Sequence, residues 1–260
     1  MDKLQNKCLV VIGGTTGIGL SAAKAFIADG ASVVAVGRNP ESVRAAQEIL
    51  GPKSRVFVGD ATEADTSRIA IEKCCHEFGG FHGLYHVAGG SGRSHGDGPL
   101  HEITAEGWNY TIQLNLTSVF YSNQAAARQF LAHKSGGAIL NLSSVLAYSP
   151  SPAFFGTHAY AAAKAAIIGL TRTAAAAYAK DNIRFNVLAP ALVETPMAQR
   201  AVANPKIMEF IEHKQPLDGG RAGLPSDLDG AALYFMSEDS RFVTGQVLAI
   251  DGGWSVSDGS

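Results

Sequence analysis

The chain alternates short runs of β-branched and aliphatic residues with longer alanine-rich stretches, and polar residues gather between them. Strands are predicted at 7–13, 32–37, 54–59, 82–87, 137–142, 183–188 and 246–250. Their continuous apolar character suits parallel strands covered on both faces. Helices are predicted at 20–28, 41–50, 65–78, 108–133 and 159–180. Strand, helix and strand in repetition imply right-handed crossovers and a doubly wound α/β sheet of seven parallel strands, with residues 1–260 as one domain. Two stretches break the alternation: 89–99, rich in glycine, and 193–216, long and irregular. Both follow strand C-termini, where open α/β sheets form their ligand crevice. They are expected to wall a site, with a substrate lid at about 191–216.

Composition narrows the picture. At 46% hydrophobic and 17% charged, 260 residues can bury an extensive core, and wholesale disorder is excluded. A net charge of −2 supplies no broad basic surface for nucleic acid or an acidic membrane. No apolar run approaches the roughly 20 residues of a membrane span. The polar N-terminal segment leads straight into the first strand without the apolar region of a signal peptide. Three cysteines, with Cys74 and Cys75 adjacent, form no disulfide framework and no C-x-x-C knuckle. The expectation is buried thiols in a reducing cytoplasm. His82, His86, His95 and His101 are read as a fortuitous cluster, and no metal is expected.

Chemistry enters at the first strand-to-helix junction, Gly13-Gly14-Thr15-Thr16-Gly17-Ile18-Gly19. Glycine lets the backbone turn tightly and approach a pyrophosphate, while the helix N-terminus offers free N–H donors. This points to a dinucleotide on a Rossmann-type fold. An acid at the end of the second strand would accept hydrogen bonds from the ribose of NAD. The sequence there reads Gly37-Arg38-Asn39, so the acid is absent and a guanidinium can fork onto a 2′-phosphate. NADP(H) is therefore preferred, with NAD(H) possible. Asp60 and Ala61 follow the third strand, where they can either contact adenine or begin a helix.

Tyr160 and Lys164 are four residues apart and so share one helical face. A phenol titrates near ~10, and a neighbouring ammonium together with a positive nicotinamide favours its ionised form. The pair stands in a larger pattern. Asn115 interrupts an apolar helical stretch, Ser143 and Ser144 end a strand begun before Asn141, and Pro190-Ala191 precedes Glu194-Thr195-Pro196-Met197. The chain closes with Asp251-Gly252-Gly253 after its last strand. In order and spacing, nearly the whole chain resembles the short-chain dehydrogenase/reductase family, the non-extended type with Tyr-x-x-x-Lys.

That resemblance implies an NADP(H)-dependent oxidoreductase interconverting a secondary alcohol and a ketone, with hydride transfer as the reaction. Tyr160 would be the general acid/base, Lys164 would bind the nicotinamide ribose and lower the tyrosine pKa, Ser144 would bond the substrate oxygen, and Asn115 would hold a relay water. Cofactor contacts are implied from Gly13, Thr15, Thr16, Gly17, Ile18, Gly19, Arg38, Asp60, Ala61, Ala88, Gly89, Pro190, Val193 and Thr195, besides Tyr160 and Lys164. Adjacent strand residues face opposite ways, and the family's serine is the second of its pair, so Ser143 is expected to be structural.

The sequence departs from the family pattern at Ile12 (usually threonine), His86-Val87 (usually Asn-Asn) and Ala191 (usually glycine). Leu146, Tyr148, Phe154, Phe155 and Leu192 are expected to line an apolar pocket. The alanines of 159–180 run around most of that helix and suggest close helix packing in a homotetramer. The alternatives are an NAD-dependent relative, a non-catalytic dinucleotide-binding regulator, an extended family member, and an enoyl reductase, whose tyrosine–lysine spacing is wider.

Overall fold

Seven strands form one parallel sheet in the order β3-β2-β1-β4-β5-β6-β7. They are β1 Cys8–Ile12, β2 Ser32–Gly37, β3 Ser54–Val58, β4 Gly83–His86, β5 Gly137–Leu142, β6 Ile183–Pro190 and β7 Val247–Ile250. The structure is a computed structural model and describes residues 3–259. Nine α-helical segments are found among those residues: α1 Gly17–Ala28, α2 Pro40–Leu50, α3 Ala64–Phe78, α4 Ala105–Ile112, α5 Ser118–His133, α6 His158–Tyr178, α7 Gln199–Val202, α8 Pro205–Lys214 and α9 Asp229–Met236. This is a Rossmann-type doubly wound α/β fold.

Successive residues of each inner strand feed opposite cores, which is why the strands read as unbroken apolar runs. Val11, Val33, Ala35 and Leu140 pack with Ala22 and Phe26 of α1 and Phe235 of α9. Val10, Val34, Val36 and Ile139 pack with Ile71 of α3 and Phe130 of α5 on the other face. Ile12 pairs with Val36 on one side and with His86 on the other, so the chain switches direction about β1. The crevice of a doubly wound sheet lies at that switch.

Two predicted elements change, and one helix is added. The single helix expected at 108–133 is α4 and α5 joined by a π-helical turn, Gln113–Thr117. The stretch at 193–216 is not irregular, because it contains α7 and α8. Asn204 caps α8 by accepting from Lys206 N at 3.0 Å and Ile207 N at 3.3 Å, Pro205 occupies the first turn, and Ile207 and Ile211 are buried four residues apart. α9 has no counterpart in the sequence reading. It is short and apolar almost throughout, and the sheet rather than its own periodicity selects Ala232, Phe235 and Met236 for burial. Among the described residues no helix is long and apolar enough to cross a membrane.

Candidate active site

The turn after β1 is built by close backbone approach. Gly13 has φ 86°, and a Cβ there would lie 2.6 Å from Ala88 N. A Cβ at Gly19 would lie 2.0 Å from Gly13 O. Both positions therefore need glycine. Ile12 costs the turn no hydrogen bond, since Gly13 N–H and Gly14 N–H both donate to Val36 O, at 2.9 and 3.0 Å. The first bond of α1 runs from Leu20 N–H to Thr16 O at 3.1 Å. The N–H groups of Gly17, Ile18 and Gly19 precede it and have no acceptor within the helix, and Ile18 lines the crevice. This cradle fits a dinucleotide pyrophosphate.

Gly13, Thr15, Thr16, Ile18, Arg38, Asp60, Ala61, Ala88, Gly89 and Thr195 line one cleft. Gly17 lies under Thr195, with room for a Cβ only 3.1 Å from its methyl. Pro190 and Val193 line the adjoining cleft with Tyr160 and Lys164. The two clefts share Ile18, Val87, Gly89, Leu142 and Met197 as walls, so they are continuous. A side chain at Gly37 would meet Thr15 Oγ1 at 2.1 Å, which bars an acid from that position. Arg38 Nη1 stands 3.9 Å from Asp60 Oδ2, and both side chains are exposed. Asp60 also begins the next turn, accepting from Thr62 N at 2.9 Å and Thr62 Oγ1 at 2.8 Å.

Tyr160 and Lys164 sit one turn apart on α6, with the ammonium 5.4 Å from the ring centroid. Lys164 is 3% exposed, and its Nζ donates to Leu142 O at 2.9 Å. Burial pushes its pKa down to about 8. Tyr160 is half-buried against the cleft. Burial pushes the phenol up to about 12, and a hydrogen bond with Ser144 acts in the other direction. Ser143 and Ser144 turn to different partners: Ser143 Oγ donates to Lys164 O at 2.7 Å, while Ser144 Oγ accepts from Leu146 N at 3.2 Å and reaches Tyr160. Lys164 is thus bonded to the end of β5 through both its side chain and its backbone.

Asn115 projects from the π-helical turn, a wider turn that often marks functional positions. Its Nδ2 donates to Thr111 O and Gly90 O, both at 2.9 Å, and its Oδ1 accepts from Gly90 N at 3.0 Å. The amide braces the loop after β4. A Cβ at Gly89 would lie 2.8 Å from Asn115 Oδ1 and 3.4 Å from Lys164 Nζ. His86 performs the support expected of an asparagine. Its Nε2 lies 3.1 Å from Ala88 O and its Nδ1 2.7 Å from Ser122 Oγ. A carbonyl can only accept, so Nε2 carries the proton. Burial, helped by the charge of Lys164, pushes this imidazole down to about 3 and keeps it neutral.

Two contributors escape the sequence reading. Asp97 is buried, and its carboxylate accepts from Ala159 N at 3.0 Å and Tyr160 N at 2.9 Å. Trp254 is buried beneath the cleft, with its indole N–H donating to Ser149 O at 3.1 Å and its ring 5.7 Å from Phe155. Its aromatic identity just after the last strand was the available signal. Among the expected pocket residues, Leu146, Phe155 and Leu192 line the cleft, but Tyr148 and Phe154 do not. Phe154 instead packs on Phe210 of α8 at 5.2 Å, and Tyr148 is 46% exposed.

A glycine cradle opening onto a serine, a tyrosine and a lysine beyond the C-terminal ends of the strands defines a dinucleotide-dependent oxidoreductase. Residues 13–255 match the family model described as enoyl-(acyl carrier protein) reductase. The chain is 32% identical over 257 residues to 2,5-dichloro-2,5-cyclohexadiene-1,4-diol dehydrogenase of Sphingobium indicum, covering 98% of this chain and 99% of that one. It is 35% identical over 254 residues to 3-oxoacyl-(acyl-carrier-protein) reductase of Chlamydia muridarum, covering 96% and 98%. A short-chain type dehydrogenase/reductase from Mycobacterium ulcerans superposes with a TM-score of 0.89 at 30% identity, covering 97% of this chain and 91% of the other. The chain belongs to the short-chain dehydrogenase/reductase family and is an NAD(P)-dependent oxidoreductase acting on CH–OH donors.

Proposed function

We propose that this chain interconverts a secondary alcohol and a ketone with NADP(H), using Tyr160 as general acid/base. The observation that carries the reading is the continuity of the two clefts. Ser144, Tyr160 and Lys164 line one, the glycine cradle lines the other, and five residues wall both. The bound dinucleotide supplies or accepts the hydride. In the reducing direction Tyr160 gives its proton to the nascent alkoxide and Ser144 donates a hydrogen bond to the same oxygen.

Burial holds the phenol above its ordinary range, so the site must supply the opposing stabilisation. Ser144 acts in that direction, and on this reading the positive nicotinamide beside Lys164 adds to it. Lys164 also faces the ribose side of the crevice. Asn115 fixes Gly90 and positions a relay water. The free N–H groups at the start of α1 take the pyrophosphate, Asp60 and Ala61 the adenine, and Ala88, Gly89, Pro190, Val193 and Thr195 the nicotinamide half. Arg38 takes the 2′-phosphate, and the absence of an acid at Gly37 supports NADP(H) over NAD(H).

The one-turn spacing of Tyr160 and Lys164 favours carbonyl over enoyl reduction, whose pattern is wider. The relatives named above act on a ring diol and an acyl-chain ketone respectively, so both are oxygen-centred reactions. We assign the segment 191–216 as the substrate lid, residues 1–260 as one domain, and the cytoplasm as the compartment. Exposed Ala162, Ala165, Gly169 and Ala176 on α6 support a homotetramer packed through that helix. The test is NADPH absorbance with a panel of ketones. Consumption with at least one ketone, abolished in Tyr160→Phe, is the expected result, and no consumption with any of them rejects the reading.

A further inference from the structure

The cleft that holds Tyr160 is lined by three cationic side chains, Arg93, Lys164 and Arg200, and by no aspartate or glutamate. Lys164 has Leu142 O as its partner. Arg93 and Arg200 come from different elements, the 3₁₀ turn Arg93–His95 after β4 and helix α7. Among the described residues neither guanidinium forms an ion pair. Asp97, the acid nearest Arg93 in sequence, already uses Oδ1 on Ala159 N and Oδ2 on Tyr160 N. Partial burial of its guanidinium and the charge of Arg200 both push the Arg93 pKa down, and Asp97 opposes them only in part. Two like charges lining one apolar cleft, with the nearby Asp97 carboxylate already engaged by two backbone N–H groups, are unfavourable unless a further anion lies between them.

Both arginines are exposed, so they stand at the mouth of the cleft. Leu146, Leu192 and Trp254 form an apolar wall in the same cleft. Guanidinium forks match carboxylate and phosphate oxygens in pairs. On the oxidoreductase reading above, we propose that the substrate carries an anionic group, a carboxylate or a phosphate, clamped by Arg93 and Arg200 while its carbonyl meets Ser144 and Tyr160. The substrate is then amphipathic, with its apolar middle on Leu192 and Trp254 and its charge toward solvent.

The test uses the protein saturated with NADPH and titrated calorimetrically with benzoate, phenyl phosphate and benzamide, the last a neutral match for benzoate. At least one anion binds roughly tenfold or more tightly than benzamide, and that advantage disappears in the double variant Arg93→Gln, Arg200→Gln. Which anion binds more tightly distinguishes carboxylate from phosphate. Equal binding of all three probes, or an advantage that survives the double variant, overturns the clamp. So does a double variant whose loss falls on NADPH affinity rather than on the anions, because the arginines would then serve the cofactor's pyrophosphate. Turnover of 4-acetylbenzoate, whose ring separates ketone from carboxylate, and of its methyl ester separates the two readings. Equal kcat/KM for acid and ester removes the clamp and leaves the oxidoreductase. Selective anion binding with no turnover of any ketone removes the oxidoreductase and leaves the clamp.

Discussion

The Asp97 carboxylate accepts the backbone N–H of Tyr160 at 2.9 Å across 63 positions of sequence, and that of Ala159 at 3.0 Å. Thr157, at the N-cap position of α6, gives no side-chain cap. The loop after β4 therefore caps the helix that carries the tyrosine, and a negative charge there also meets the positive end of the helix dipole. Asp97→Ala should cost about 1–2 kcal/mol of stability, read by chemical denaturation. It should also lower kcat more than it raises the ketone KM, because the first turn of α6 sets where the phenol stands. An unchanged kcat in the folded variant would assign Asp97 to stability alone.

Tyr160→Phe should reduce kcat by roughly 10²-fold or more while NADPH still binds, since only the phenolic proton is removed. Lys164→Ala should weaken both turnover and NADPH binding. Retention of more than about a tenth of kcat in Tyr160→Phe, under ~1.4 kcal/mol of barrier, means that proton transfer resides elsewhere.

The serines should separate cleanly. On the proposed mechanism Ser144→Ala loses a donor at the substrate oxygen and should lower kcat by roughly 10²-fold. Ser143→Ala loses the bond to Lys164 O and should mainly lower the melting temperature. The reverse pattern, with Ser143→Ala folded but inactive, would invert the two roles.

Arg38→Ala should raise the NADPH KM well above the NADH KM, by roughly tenfold or more in the ratio, because only NADPH offers the 2′-phosphate. Steady-state kinetics with both cofactors provides the measurement. Equal or better efficiency of the unmodified protein with NADH refutes the preference.

His86 gives the protein a defined acid sensitivity. The unfolded imidazole titrates near its ordinary 6.5 and the folded one near 3. Between those values the unfolded chain binds more protons, so the stability is present above the unfolded value and is lost as pH falls through that window. The loss from this group is about 2 kcal/mol between pH 7 and pH 5. His86→Asn should flatten the pH dependence of denaturant unfolding over that range. An unaltered slope would show that the imidazole does not titrate on unfolding as described.

Much of the fold and part of the site were legible because they depend on local pattern. The strands are buried on both faces, so their residues are apolar in sequence wherever the sheet needs them. Gly19 is required by a contact with Gly13 O within the same turn, Gly13 shares that turn although its close contact is with distant Ala88, and Tyr160 and Lys164 are neighbours on one helix. Features that arise from distant packing were not legible. Nothing near Asp97 announces a helix 60 residues further on, and the apolar run around Asn115 reads as ordinary helix because the π-helical turn depends on how α4 and α5 meet the loop at Gly90. α8 was legible in principle: Asn204-Pro205 is a helix start with a cap and a proline in the first turn.

The double attachment of Lys164 to the end of β5 has a consequence for how such a protein changes over time. The lysine, Ser143 and Ser144 are anchored to a central strand and its covering helix, whereas the cleft walls come from the turn after β4, the stretch between Ser144 and α6, the segment from Pro190 to α7, and Trp254. Mutations that reshape those walls leave the anchored atoms where they are. Substrate range can therefore drift through loop sequence alone, one permissive change at a time, without passing through an ancestor that has lost its chemistry.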